Sequence, residues 1–280
     1  GFNTTFYSYD NLNKDARIIQ VEEEPTAIGR FFAVAIGVLG TAGEVSKDLR
    51  ALLEGHSAGK EVHDWTQAFT QARRAMLEKR DADAGEASDP LQPGFLFKTL
   101  RQVLPDDTMY TMDAGTLCLQ ATDNMRYVQT PALFTPLDFG LVGFSYACGL
   151  GVKIAQPNRT VVSLMGDGGF GMAHSEIGTA VENGINTVCI VMNNGCWGAE
   201  KAYQRDFFGE RYIGADVPNP PYDKLAELWG AKGFRVDRAA DLARTVAEAV
   251  ACGKPAVVDV KVDPAALYSF RRDSFKHRAQ

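Results

Sequence analysis

The stretch Thr160-Val-Val-Ser-Leu-Met-Gly-Asp-Gly-Gly-Phe-Gly171 sets a single acid, Asp167, among glycines at the end of an apolar run. Such a run reads as a buried strand, the glycines as the turn that ends it, and His174 to Glu182 as a helix. A second apolar run, Thr187 to Met192, ends in the pair Asn193-Asn194. Strands separated by helical segments predict a parallel sheet, because parallel neighbours are joined through crossovers. Both loops then fall at the carboxyl ends of strands, where ligands bind in sheets of this kind.

The rest of the chain fits around that sheet. Further strands are expected at Thr108–Met112, Phe234–Val236 and Ala256–Val262. Helices are expected at Phe95–Leu104, Thr116–Met125, Tyr222–Trp229 and Ala239–Ala251. The run Phe139–Ile154, apolar with small residues throughout, reads as a helix packed on all sides. The expected fold is α/β, a doubly wound parallel sheet. Upstream, Arg17–Val21 and Gly37–Gly40 read as strands, Pro25–Ile28 as a short helix and Glu44–Leu53 as an amphipathic helix. Two strands and two helices make only part of an α/β layer, so this segment reads as the tail of a domain that begins before Gly1. His63–Arg80 reads as a surface helix, and Asp81–Pro93, with its acids and two prolines, as a linker.

A net charge of −6 disfavours partners such as nucleic acid or an anionic membrane surface. The longest apolar stretches, Phe31–Leu39 and Leu141–Val152, are too short and too rich in glycine to span a bilayer. Five cysteines without C-x-x-C spacing favour free thiols in a reducing compartment, so a cytoplasmic location is expected.

Gly166-Asp-Gly-Gly-Phe-Gly171 matches the G-x-G-x-x-G pattern of dinucleotide sites. Two points weigh against that reading. Asp167 would set a carboxylate against a pyrophosphate, a like-charge contact unless a cation lies between them. The next strand ends in asparagines where an acid is wanted for the ribose. A metal-bound diphosphate turns both objections into requirements. Mg²⁺ takes hard oxygen ligands and bridges phosphates to one or two protein oxygens. Asp167 offers a carboxylate, Asn194 a side-chain carbonyl and Cys196 its backbone carbonyl. Gly168 and Gly169 would let the backbone approach the phosphates, ahead of a helix with free N–H groups. The bland alternative is a tight turn and an asparagine-rich loop.

Gly166-Asp-Gly, a spacer from 169 to 192, and then Asn193-Asn194 resemble the thiamine diphosphate motif of the acetolactate synthase and pyruvate decarboxylase superfamily. The resemblance covers nearly the whole chain. It implies thiamine diphosphate and Mg²⁺ as cofactors, with Asp167 and Asn194 on the metal. It implies three parts: residues 1–60 as the end of a central domain, 61–92 as a linker with a surface helix, and 93–280 as the diphosphate-binding domain with a carboxyl-terminal tail. Asp113-Ala-Gly115-Thr116 resembles an earlier loop that touches the diphosphate. Leu141-Val-Gly143 resembles the segment carrying an apolar wedge under the cofactor, which makes Val142 the wedge. Within the superfamily, Trp197-Gly-Ala-Glu-Lys201, Asp206-Phe-Phe208 and Phe270-Arg-Arg-Asp273 look most like the sulfoacetaldehyde acetyltransferases. The Met192–Cys196 loop departs from that pattern, so relatives acting on another 2-oxo acid or sulfonated substrate stay open.

The resemblance also places the activating glutamate on a pyrimidine-binding domain, in the same longer chain or in a partner subunit, and so at least a homodimer or homotetramer. Glu176 and Glu200 are therefore read as surface acids, and His174 as a capping or surface residue. A small anionic substrate wants fixed positive charge and a shaped pocket. Trp197, Lys201, Arg205, Arg271 and Arg272 are the candidates, with Arg211 nearby, because guanidinium groups bind sulfonate or phosphate with paired donors. Ordinary surface ion pairs are the competing reading. A cofactor-binding piece that needs a partner, and a nucleotide-binding module without thiamine, are the readings from other classes.

Overall fold

The structure is a computed structural model that describes residues 13, 15–136 and 139–268. The chain divides into two compact units, residues 1–75 and 76–280.

In the first unit, β1 (Ile19–Glu22) pairs in parallel with β2 (Ile36–Leu39), with Ile19 opposite Ile36. A 3₁₀ turn at Pro25–Ala27 joins them, and α1 (Ala42–Leu52) follows. Thr41 opens α1 with a capping box: its hydroxyl accepts from the Glu44 N–H at 3.1 Å and the Glu44 carboxylate reaches back. None of the described residues of this unit is buried. Two strands and one covering helix cannot close a core. Helix α2 (Lys60–Asp83) runs on through the boundary between the units, longer at both ends than the sequence suggests.

Among its described residues the second unit holds six strands, all parallel: β3 (Met109–Met112), β4 (Leu133–Phe134), β5 (Val161–Gly166), β6 (Val188–Asn193), β7 (Lys232–Val236) and β8 (Ala256–Lys261). Their order is β4-β3-β5-β6-β8-β7. One face carries α3 (Pro93–Val103), α4 (Thr116–Asn124) and α10 (Leu242–Ala251), with Phe97, Leu100 and Val246 packed on Leu164, Ile190 and Val258. The other carries α5 (Phe144–Ala155), α6 (Asp167–Ala173), α7 (Glu176–Glu182) and α9 (Tyr222–Leu228). There Tyr146, Phe170, Ile177 and Tyr222 meet Met165, Val191 and Val257. This is the expected doubly wound sheet. From β3 the chain moves outward to β4, then returns to β5 on the other side. The switch point therefore lies between the carboxyl ends of β3 and β5.

Two elements differ from the sequence reading. Helix α5 begins at Phe144, because Gly140 (φ +69°) and Gly143 (φ +89°) turn the chain before it. It is covered on one side only: Ile154 is 66% exposed. The segment Gly166–Gly171 is not a turn either. Helix α6 starts at Asp167 itself, and its glycines have ordinary helical backbones. The sequence also gave no sign of β4, whose two residues are too few to show a period, or of α8 (Gly198–Phe207).

Helix α5 lies close on the sheet through a knot of buried hydroxyls. Thr111 Oγ1 donates to the Ser145 carbonyl at 2.9 Å, the Ser145 hydroxyl donates to the Thr111 carbonyl at 2.7 Å, and Thr111 and Ser163 hydroxyls meet at 2.8 Å. Gly149 faces this knot, and a methyl there would press into Ser163 Oγ and sit 3.1 Å from Thr111 Oγ1. Gly149→Ala should lower the unfolding free energy by about 2 kcal/mol through overpacking. Adding Ser163→Ala should return part of that loss in urea titrations. A wild-type midpoint for the single variant would show that α5 lifts off the sheet without cost.

Candidate functional site

The switch point gathers one carboxylate from each side. Asp113, following β3, is buried and accepts from the N–H groups of Gly143 at 3.0 Å and Ser145 at 3.2 Å, so it caps α5 from the end of β3. Burial pushes its carboxyl above the usual range, and the surrounding backbone N–H groups pull it back. Asp167, following β5, is 1% exposed and heads α6. Its carboxyl is also pushed up, first by burial, against hydrogen bonds from Asn219 and from the Gly168 and Gly195 backbones.

Between these carboxylates the glycines allow contact rather than turning the chain. A Cβ on Gly168 would lie 2.6 Å from the Trp197 ring, and one on Gly169 would collide with Asp113 Oδ2 and approach Val142 at 3.4 Å. Packing within the protein thus accounts for both glycines before any ligand is considered. Gly115 (φ +112°) opens α4, and the Thr116 hydroxyl lies where a Cβ on Gly198 would be 3.3 Å away.

The second half of the site follows β6. Gly195 (φ +69°) turns the chain, which then pairs with an incoming segment: Cys196 bridges Asp216, the Trp197 N–H donates to the Ala215 carbonyl at 2.7 Å, and the Val217 N–H to the Gly195 carbonyl at 2.9 Å. The Asn194 side chain is buried against Asp167. Its Oδ1 accepts from the Cys196 N–H at 3.3 Å, yet stands 3.2 Å from Asp167 Oδ1 and 3.0 Å from the Cys196 carbonyl oxygen. Turning the amide over would make Nδ2 a donor to both; a cation among the three oxygens would satisfy them as they stand. Neighbouring ligands of an octahedral Mg²⁺ at about 2.1 Å lie about 3 Å apart. One carboxylate, one amide and one carbonyl form the hard-oxygen set that this cation accepts. Among the described residues no group of three His, Cys, Asp or Glu side chains offers an alternative metal centre.

Other sequence candidates lie elsewhere or are already engaged. Lys201 Nζ pairs with Asp216 Oδ1 at 2.6 Å and stands over the Tyr212 ring. Arg205 pairs with Asp206 at 2.8 Å and donates to the Leu267 carbonyl at 3.2 Å. Arg211 reaches the Phe208 carbonyl. Glu176 accepts from the Thr179 hydroxyl on α7, and Glu200 is exposed on α8. His174 ends α6 with Nδ1 buried and unpartnered. Arg271 and Arg272 lie outside the described residues.

Three further residues went unnoticed in the sequence. Asn219 Nδ2 donates to Asp167 Oδ2 at 2.6 Å and to Asn193 Oδ1 at 3.0 Å. The Tyr222 hydroxyl lies 2.9 Å from Asn219 Oδ1 and 3.0 Å from the Asp167 carbonyl, with one proton to serve either. Asp259 on β8 accepts from Asn193 Nδ2 at 3.0 Å and from the Tyr222 N–H at 3.2 Å. The available signal was Pro218-Asn-Pro-Pro221, an amide held on a proline-stiffened segment.

A doubly wound sheet with a buried carboxylate in a hard-oxygen set at its switch point defines a cofactor-binding α/β domain. Residues 113–260, more than half of the chain, match the thiamine pyrophosphate enzyme family's C-terminal TPP-binding domain, and the chain belongs to that family. Sulfoacetaldehyde acetyltransferase of Castellaniella defragrans is 28% identical over 96% of this chain and 48% of that protein. A probable acetolactate synthase large subunit of Methanococcus aeolicus is 27% identical over 91% of this chain and 44% of its own length. The chain spans about half the length of the curated relatives it matches.

Because Asp113 ties β3 to α5, Asp113→Ala should cost about 2–3 kcal/mol in urea unfolding with no ligand added. Gly169→Ala should reproduce most of that loss by forcing the same carboxylate aside. Wild-type stability of the glycine variant would break the link between them.

Proposed function

We propose that the chain is the carboxyl-terminal part of a thiamine diphosphate- and Mg²⁺-dependent enzyme. Residues 93–280 serve as the diphosphate-binding domain, 1–60 as the end of a central domain and 61–92 as the connection. The carrying observation is that Asn194 Oδ1 stands 3.2 Å from Asp167 Oδ1 and 3.0 Å from the Cys196 carbonyl oxygen, the spacing of neighbouring octahedral ligands. These three groups hold Mg²⁺. Gly115, Thr116, Gly166, Gly168 and Gly169 line the diphosphate, and Val142, beside Gly169, supports the cofactor.

When bound, thiamine diphosphate supplies a nucleophilic carbon and then an electron sink. This chain's residues neutralise the diphosphate through the metal, fix its position and shield it from water. The activating glutamate belongs to a pyrimidine-binding domain, either in the longer chain or in the partner subunit of a homodimer or homotetramer. Among the described residues no helix is long and apolar enough to cross a membrane. The five free thiols support a reducing, cytoplasmic setting.

The finer reading is acyl transfer from a small sulfonate: sulfoacetaldehyde and phosphate give acetyl phosphate and sulfite. Relatives bearing that name along 96% of the chain support it. An acetolactate synthase-like or 2-oxo-acid reaction is the second reading, supported by the methanococcal relative. Trp197, Lys201 and Arg205 stay the substrate candidates with Arg271 and Arg272. Lys201 and Arg205 would have to exchange Asp216 and Asp206 for the anion.

Thiamine diphosphate at one hundred times its dissociation constant should stabilise the protein by about 2.7 kcal/mol, and only with Mg²⁺ present. In thermal melts Asp167→Ala should abolish that gain. A Mg²⁺-independent shift, or one that survives the substitution, would sink the metal assignment. Sulfite release from sulfoacetaldehyde by the longer protein separates the two substrate readings.

A further inference from the structure

We infer that Asn219 is a positioning residue for the metal site: it pins one oxygen of Asp167 so that the other faces the cation. The inference rests on the Mg²⁺ reading above and assigns a role to a side chain outside the ligand set. Asp167 has two carboxylate oxygens with different surroundings. Oδ2 accepts the Asn219 amide at 2.6 Å, while Oδ1 faces Asn194 and the oxygen cluster. The other Asn219 N–H goes to Asn193 Oδ1, so one amide spans the ends of β5 and β6 and uses both its donors. Its Oδ1 lies 2.9 Å from the Tyr222 hydroxyl, whose one proton serves it or the Asp167 carbonyl.

The segment that carries Asn219 is built to hold still. Pro218, Pro220 and Pro221 fix φ around it, and the following proline confines Asn219 to extended backbone. Both ends of the segment are tied: the Val217 N–H to the Gly195 carbonyl, and the Tyr222 N–H to buried Asp259. A stiff strut with two anchors delivers one amide to one carboxylate oxygen. Without that hydrogen bond Asp167 can rotate about χ2 and offer both oxygens to a cation. Mg²⁺ demands near-ideal octahedral geometry, whereas Ca²⁺ accepts bidentate carboxylates and irregular shells. Asn219 therefore sets the preference for the smaller ion as well as affinity.

The test is calorimetric titration of Mg²⁺ and of Ca²⁺ into metal-free protein with thiamine diphosphate held in fixed excess. Asn219→Leu keeps the volume and loses the donors. It should weaken Mg²⁺ binding ten- to a hundredfold, as outer partners of metal ligands commonly do. Ca²⁺ should weaken less, so the Mg²⁺/Ca²⁺ affinity ratio falls. A purely structural role would lower both affinities together and leave the ratio unchanged, which overturns the inference, as does an unchanged Mg²⁺ affinity. If the leucine variant does not fold, Tyr222→Phe preserves the packing on Phe170 and frees the Asn219 carbonyl; it should move the ratio in the same direction by less, and an unmoved ratio overturns the inference. Wild-type protein that binds no Mg²⁺ would bring down the site reading itself, whereas a wild type that binds beside an unaffected variant removes only the role of Asn219.

Discussion

Everything near the switch point answers to one constraint, a carboxylate taken almost wholly out of water. An ionised Asp167 at 1% exposure is costly unless its charge is met. The protein meets part of that cost with the amino-terminal dipole of α6, backbone N–H groups and the Asn219 amide. Burial still pushes its carboxyl upward against these hydrogen bonds. On the proposed Mg²⁺ reading folding and ligand binding would be coupled, because an ion that positions a diphosphate would also offset the burial of the acid.

That constraint explains why the neighbourhood is made of small residues. Gly168 admits the Trp197 ring, Gly169 admits the Asp113 carboxylate, and Gly149 lets α5 settle on Thr111 and Ser163. Each brings two chain segments closer than any side chain would allow, and together they press α5, α6 and the loop after β6 around one point. The glycine cluster reads like a phosphate-cradling turn in the sequence, yet its residues are helical and their space is filled by protein atoms. Composition reveals that something must come close. It does not reveal what.

The strands were legible because β5, β6 and β8 are buried on both faces and so read as continuous apolar runs. Asp167 was legible for the opposite reason, as a charge where the pattern calls for none. The start of α5 was not, since Phe139 and Leu141 continue its apolar pattern while standing exposed before the glycine break at 143. Asn219 and Asp259 were hidden by distance, 52 and 92 residues from Asp167, and only the sheet order joins them. For Lys201 and Arg205 the ion-pair reading describes what surrounds them, because their partners Asp216 and Asp206 are near in sequence.

The paired asparagines follow from strand geometry. Successive residues at the end of β6 point to opposite faces. Asn193 falls on the face of Tyr222 and bonds Asp259 and Asn219; Asn194 falls on the face of α4 and turns its oxygen toward Asp167 and Cys196. One asparagine anchors the loop to the sheet and the other, on the proposed Mg²⁺ reading, presents an oxygen to the site. An aliphatic residue at 193 would leave Asp259 short of a donor and Asn219 short of an acceptor, while one at 194 would remove an oxygen from the set. The pair is therefore two separate requirements that happen to be adjacent. The turn at Gly195 lets both be met, because its positive φ brings the Cys196 carbonyl back to the oxygens that Asn194 faces.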